Sequence, residues 1–217
     1  RCLVGSEMCI RDSDEGDKEE PKPDEDENVT GTLAFEDIWP SGGDYDMNDV
    51  IVEYERKVYF DKKNIVTKIV DEFTPVHDGA TYVNAFAYQI DAAQIGDKIT
   101  LPEGAILEKE TSSIIVMSNA KQNIGNKYVV TREFNGSFLK NQLLSYNPYI
   151  IVKYSQGEQN RTEVHLPKHK ATAYANQSLI GSNDDAYYID RKGAYPFAID
   201  IPCLLYTSPS PRDISGS

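Results

Sequence analysis

Apolar and polar residues alternate along much of the chain, and the alternation is clearest from residue 50 to residue 60. A period of two places successive side chains on opposite faces of a strand, so this segment is predicted to be a half-buried β-strand. Residues 61–64 then form a predicted turn. Residues 65–73 fit a helix or a strand, and the context favours a strand. One face of the first strand carries Val50, Val52, Tyr54, Val58 and Phe60, and the other carries Glu53, Glu55 and Lys57.

Short runs rich in Val, Ile and Tyr recur through the rest of the chain, separated by Gly, Asn, Asp and Pro clusters. No helical pattern recurs between them. Many short strands at this spacing predict an all-β fold, an antiparallel β-sandwich of jelly-roll-like type. The further predicted strands are residues 82–90, 98–101, 113–117, 128–134, 149–154, 162–166 and 197–201.

The two ends of the chain are predicted to be sequencing artefacts. Residues 3–12 and 204–212 can be encoded by the two complementary strands of one DNA segment, and they resemble a library-preparation adapter. We therefore assign residues 1–13 and 203–217 to adapter read-through and exclude them from fold reasoning. Because the last predicted strand runs into the second segment, we expect the C-terminal end of the domain to be missing from this fragment.

All three cysteines, Cys2, Cys9 and Cys203, lie in these end segments. Disulfides, thiolate zinc sites and a cysteine nucleophile are therefore not expected in the domain. Residues 14–29 are rich in acids and are predicted to be a disordered linker, and residues 30–202 form the predicted β-sandwich domain.

The chain carries 35 acidic residues against 22 lysines and arginines, a formal net charge of −13. This balance argues against a nucleic-acid partner, because phosphate binding depends mainly on Lys and Arg. No apolar run is long enough to span a membrane.

The densest candidate chemistry lies in residues 36–49, directly before the Val50 strand. Calcium takes six to eight oxygen ligands, and crowded carboxylates repel one another unless a cation or protons compensate, so calcium is the predicted cofactor. Gly42 and Gly43 are expected to adopt positive φ and so let the backbone enter this loop. Alternatively, these side chains only cap turns. The candidate ligands are Asp44, Asp46 and Asn48, which alternate, with Asp49, Glu36 and Asp37 close by.

The spacing overlaps the first positions of an EF-hand loop, but we reject that family. The sixth position of an EF-hand loop needs Gly, but Asp49 stands there in this chain. In addition, a strand follows the loop instead of the helix that an EF-hand requires. Trp39, the only tryptophan, is predicted to be a core residue, with a sugar-stacking platform as the alternative. His165 and His169 bracket Pro167, which favours a surface loop over a zinc site.

The order of motifs resembles the LruC-type domain of surface lipoproteins from Bacteroides-like bacteria (Bacteroidetes). The matching stretches are residues 31–52, 80–89, 163–167, 183–186 and 187–198. The resemblance implies a domain that is secreted or displayed on the extracellular face of the outer membrane. It also implies that any membrane attachment is through a lipid anchor outside this fragment. The resemblance also implies that a second acidic pair, Asp184 and Asp185, belongs to the family's acidic positions. This pair either completes the same cation site or forms a separate turn.

These observations lead to one main functional hypothesis and two alternatives. The main hypothesis is a non-enzymatic cell-surface module, stabilised by calcium, that binds a glycan or a surface protein in adhesion. The first alternative is a carboxylate-dependent glycoside hydrolase, which needs two carboxyl groups roughly 5 to 10 Å apart. The second is a purely structural domain of a larger surface protein. Oligomeric state and ligand identity are not predicted.

Overall fold

The computed structural model describes residues 25–136, 138–144, 146–181, 187–190, 192 and 194–203. The helices in these ranges are single 3₁₀ turns at Ala92–Gln94, Lys121–Asn123 and Lys140–Gln142, and no described helix is long and apolar enough to cross a membrane. The strands are β1 (Glu25–Phe35), β2 (Val50–Phe60), β3 (Val66–His77), β4 (Ala85–Gln89), β5 (Lys98–Thr100), β6 (Ile106–Glu108), β7 (Ser113–Met117), β8 (Tyr128–Glu133), β9 (Asn147–Val152), β10 (Thr162–His165) and β11 (Ala198–Cys203).

The strands form two sheets that face each other. One has six strands in the order β11-β1-β2-β3-β8-β5, and the other has five in the order β10-β9-β4-β7-β6. Every pairing between these strands is antiparallel. The predicted antiparallel β-sandwich is confirmed, and residues 66–73, which also fitted a helix, belong to strand β3.

Two strands were not predicted. β6 has only three residues and pairs with one side of β7. β1 starts at Glu25, so residues 25–29 are part of a strand and the predicted boundary of the acidic linker at residue 29 is wrong. These residues pair with β2 from Glu25↔Phe60 to Val29↔Arg56, so their backbone groups have partners in the sheet. Residues 14–24, 1–13 and 204–217 lie outside the described residues.

The main core lies between the sheets and is rich in aromatic residues. Phe73 on β3 and Phe86 on β4 are buried, and their ring centroids lie 5.0 Å apart across the sandwich. Tyr88 packs on Phe73 at 5.1 Å. Each such side chain stabilises the fold by roughly 1.5 to 3 kcal/mol through the apolar surface it removes from water. The predicted inward face of β2 is confirmed, with Val50 and Val52 fully buried.

A charged group also lies inside this core. Asp71 accepts hydrogen bonds from Arg56 Nε at 2.5 Å, Arg132 Nη2 at 3.2 Å and the Tyr88 hydroxyl at 3.1 Å. All four residues are buried. Burial alone would raise the pKa of Asp71, but the two guanidinium groups hold it below its ordinary value. The carboxylate is therefore ionised and tied to β2 and β8 on either side of its own strand.

A second buried ionic network joins the five-stranded sheet to the segment that follows β10. Arg161 donates to Glu108 through both Nη atoms, at 2.7 and 2.9 Å, and to Glu163 through Nε at 2.8 Å. Glu163 also accepts from the Thr172 backbone N–H and hydroxyl, at 2.9 and 2.7 Å. Because every member has partners, the network offsets part of the cost of burying its charges.

His165 belongs to this network, so the predicted surface loop is wrong for this residue. Its side chain is fully buried on strand β10. The ring atoms Nε2 and Nδ1 lie 2.9 Å from Glu163 Oε2 and 2.9 Å from Asn147 Oδ1. The ring also stacks on Tyr149 with centroids 4.4 Å apart. These contacts fix the ring inside the structure.

Candidate metal centre

The acidic loop connects the ends of two paired strands. Phe35, the last residue of β1, pairs with Val50, the first residue of β2, so residues 36–49 leave and re-enter the sheet at adjacent points. The Glu36 N–H donates to the Phe197 carbonyl at 2.8 Å, which fixes the start of the loop against the chain entering β11. The sheet therefore holds Glu36 and Asp49 next to each other at the base of the loop.

The loop turns at residues that are not glycine. Tyr45 and Met47 adopt left-handed backbone conformations, with φ of 54° and 56°. Such conformations cost non-glycine residues of the order of 1 kcal/mol each, so the surrounding structure must enforce them. The expectation that Gly42 and Gly43 have positive φ is wrong.

Gly43 serves instead as a point of close approach. A Cβ atom placed on it would lie 2.6 Å from Ile38 Cδ1 and 3.2 Å from Glu36 Oε2. Only glycine lets the backbone pass this near to both side chains. The residue therefore brings the tip of the loop back onto the Glu36 carboxylate.

Three carboxylates converge as a result. One oxygen each from Glu36, Asp44 and Asp46 lie within 4.8 Å of one another. Calcium–oxygen distances are about 2.3 to 2.6 Å, so two ligands of one ion can lie up to about 5 Å apart. Asp46 also accepts a hydrogen bond from the Asn48 side-chain amide, which orients it. The three oxygens are thus close enough to share one cation.

Glu36 is the buried member of this group. Its side chain has no exposed surface, whereas Asp44 and Asp46 are exposed. Glu36 Oε1 accepts from the Met47 N–H at 2.5 Å, and Oε2 has no hydrogen-bond partner among the described residues. Burial, and then the negative charges of the neighbouring aspartates, raise the pKa of Glu36 to about 7, against the opposing effect of the Met47 N–H.

The other predicted ligands support the base of the loop. Asp49 Oδ2 accepts from the Asp37 N–H at 2.8 Å, and Asp37 Oδ2 accepts from the Asn84 side-chain amide at 2.8 Å. Burial and the nearby Asp37 charge raise the pKa of Asp49. In this arrangement Asp49 acts as a turn-capping residue, the alternative role considered for the motif. The predicted pair Asp184 and Asp185 lies outside the described residues.

Two residues near the loop were missed by sequence analysis. Asp78 and Asn84, on the connection between β3 and β4, are buried beside residues 36–49. Asp78 precedes Gly79, and an Asp-Gly pair is typical of a turn, so residue type and spacing alone do not connect Asp78 with the acidic loop. Only the folded chain brings them to the loop.

The aromatic residues near the loop fall into two groups. Trp39 is 4% exposed and packs on Tyr188 with ring centroids 4.7 Å apart, so its prediction as a core residue is confirmed. Tyr45, inside the acidic loop, stacks on Tyr195 at 5.2 Å and also contacts Phe197. Tyr195 is 55% exposed. An accessible aromatic face therefore lies beside the acidic cluster.

The fold and this acidic loop define a two-sheet β-sandwich with a candidate cation site at one end. Residues 64–210 match the family model described as "Domain of unknown function (DUF4842)". The match covers more than half of the chain, so the chain belongs to this family. The matched range includes Asp78 and Asn84 and begins after the acidic loop.

One solved structure has a similar fold. It is described as a "Putative lipoprotein from Bacteroides ovatus", and it is similar over 89% of this chain and 69% of that chain, with a TM-score of 0.59 and 16% sequence identity. At this identity the similarity establishes the β-sandwich alone. No curated protein matches the chain.

Proposed function

We propose that this chain is a non-enzymatic module of the bacterial cell surface, stabilised by calcium at Glu36, Asp44 and Asp46, that binds glycans in adhesion. The observation that carries the proposal is the Glu36 carboxylate. It is buried, one oxygen lacks a hydrogen-bond partner within the described structure, and two more carboxylates face it. Such an arrangement is costly unless protons or a cation compensate, and calcium prefers these oxygen ligands.

The surface location is supported by the fold comparison and the sequence resemblance. The similar Bacteroides ovatus protein is described as a "Putative lipoprotein". The motif order also resembles the LruC-type domain of surface lipoproteins, a narrower assignment that stays a prediction. We propose that the module is displayed outside the cell, either secreted or held on the outer membrane by a lipid anchor.

The ligand part of the proposal is supported by Tyr195. Its exposed ring is held by stacking on Tyr45, which lies between Asp44 and Asp46 in the chain. Aromatic side chains of this kind have an apolar face that packs on sugar rings and a polar tip that stays in water. A cation bound to the exposed aspartates would lie near this face and could take sugar hydroxyls as further ligands.

The geometry favours cation binding over glycoside hydrolysis. A carboxyl group with a pKa of about 7 suits a general acid, and Glu36 has this property. However, a general acid must reach the glycosidic oxygen, and the Glu36 side chain has no exposed surface. We therefore propose a stabilising role for this group instead of a catalytic one.

Thermal unfolding in calcium or in chelator tests the cation site. With calcium at 100 times its Kd, the expected stabilisation is about 2.7 kcal/mol, or a rise in Tm of about 5 to 10 °C. Asp46→Asn should abolish most of this rise, and it should raise the Tm in chelator because one of the repelling charges is removed. Glu103→Gln, at an exposed site, is the matched control and should behave like the wild type. An equal wild-type Tm in both conditions would contradict the proposal.

Affinity electrophoresis tests the ligand class. The chain is run with calcium in gels containing xylan, mannan, pectin or mucin, and retardation is expected in at least one of them. Tyr195→Ala should remove the retardation, whereas Tyr187→Ala, which alters another exposed tyrosine, should retain it. Unretarded migration in every gel would favour the purely structural domain over the glycan-binding module.

A further inference from the structure

An aromatic hairpin is packed against the acidic loop. It is formed by residues 188–190 and 194–197, which run antiparallel and are joined by a hydrogen bond from the Phe197 N–H to the Tyr188 carbonyl at 3.0 Å. Phe197 is fully buried, and its carbonyl accepts a hydrogen bond from the Glu36 N–H at 2.8 Å. The base of the aromatic hairpin is therefore fixed to the base of the acidic loop.

Tyr45 connects the acidic loop to the exposed side of this hairpin. Its ring stacks on Tyr195, with centroids 5.2 Å apart and an angle of 30° between the ring planes, and its centroid lies 5.4 Å from that of Phe197. Tyr195 is 55% exposed, so one part of its ring faces solvent while another packs on Tyr45. Stacked rings attract one another beyond the effect of the area they bury. The orientation of the Tyr195 ring therefore depends on where the loop places Tyr45.

The position of Tyr45 depends in turn on the carboxylates on either side of it. Tyr45 follows Asp44 and precedes Asp46, and it has a left-handed backbone conformation with φ of 54°. This conformation is unfavourable for an aromatic residue. Without a cation, repulsion among the converging carboxylates of Glu36, Asp44 and Asp46 also opposes it. A bound cation attracts all three carboxylates and so favours the backbone that presents Tyr45 to the aromatic hairpin.

We propose that calcium binding at the acidic loop controls the aromatic face, so that Tyr195 is held in position for a glycan only when the cation is bound. This coupling rests on the proposed calcium role and adds its regulation, because glycan binding then requires calcium although Tyr195 is not a calcium ligand. A ligand shifts a conformational equilibrium by its difference in affinity for the two forms, and such coupling is reciprocal. The stack on Tyr195 therefore also strengthens calcium binding.

Isothermal titration of the whole chain with calcium chloride at pH 7.5 measures this coupling. Tyr195→Ala should raise the calcium Kd about fivefold or more, which is the lower end of usual allosteric couplings, although it leaves all three carboxylates in place. Tyr45→Asn removes the other ring, and asparagine tolerates the left-handed backbone, so this variant should raise the Kd by a similar factor. Because both changes remove the same contact, the double variant should bind no more weakly than the single ones. Tyr187→Ala, at another exposed tyrosine, should bind calcium as the wild type does.

Fluorine NMR of the chain labelled with fluorotyrosine measures the same coupling at Tyr195 itself. The Tyr195 signal, assigned by its loss in Tyr195→Phe, should shift between chelator and saturating calcium in the wild type and stay fixed in Tyr45→Asn. The signal of Tyr59, near the far end of β2, should stay fixed in both proteins. An unchanged calcium Kd in Tyr195→Ala, or an unshifted Tyr195 signal in a wild type that binds calcium, would overturn the coupling and leave the calcium site. A wild type that binds no calcium would overturn both.

Discussion

The protonation of Glu36 should make the stability of the calcium-free protein depend on pH. Its pKa is about 7 in the folded chain against an ordinary value of 4.5. Between these values the folded state holds the proton more tightly than the unfolded state does. The resulting stability is fully present below about pH 4.5 and is lost as pH rises through 7. The gap corresponds to about 3 kcal/mol, because each pKa unit is worth about 1.4 kcal/mol.

Urea unfolding of the wild type and Glu36→Gln in chelator, from pH 4.5 to 8, measures this effect. Glutamine resembles the protonated acid and does not titrate. The free energy of unfolding of the wild type, relative to the variant, should therefore fall by about 3 kcal/mol across the range. Taking the difference removes the contribution of the other titrating groups, provided that the urea m-values agree.

Saturating calcium should reverse the order of the two proteins at pH 7.5. The ion favours the ionised carboxylate, so the wild type should then be more stable than Glu36→Gln. Glu103→Gln should follow the wild type throughout. Parallel pH profiles for the wild type and Glu36→Gln in chelator would refute the reasoning, since Glu36 would then titrate as an exposed acid does.

Two further substitutions test the buried charges and the close approach in the loop. Arg161→Met removes the cation shared by Glu108 and Glu163 and should lower the free energy of unfolding by about 3 to 5 kcal/mol, measured in urea; a loss under 1 kcal/mol would show that the carboxylates find other partners. Gly43→Ala places a methyl group against Ile38 and Glu36, so calorimetric calcium affinity should fall at least tenfold, and wild-type affinity would contradict the assigned contact.

Local patterns were sufficient to predict the fold class. The alternation in residues 50–60 correctly predicted the inward face of β2, because one side of the sheet is buried and the other side is closer to solvent. The Asp and Asn spacing in residues 44–48 also identified the loop where carboxylates converge. Both features depend on residues close together in the chain.

Long-range partners could not be predicted in this way. Arg56 interrupts the apolar face of β2, and its role follows only from Asp71 on the next strand and the position of Arg132 on β8. Asp37 and Asn84 are separated by 47 positions, and no spacing rule joins them. Similarly, His165 and His169 on either side of Pro167 were typical of a loop, while the burial of His165 depends on Glu163 and Tyr149.

The pairing of β1 with β11 has a consequence for the order in which the molecule is completed. The strand that borders β1 comes from residues 198–203, and the first amide of the acidic loop is bonded to Phe197. During synthesis, β2 can pair with β1 early, but β1 keeps an open edge until nearly all of the described chain has left the ribosome. Contacts between such distant segments form slowly. Under the proposed calcium role, calcium affinity should therefore appear late in folding, only after residues 198–203 have paired with β1.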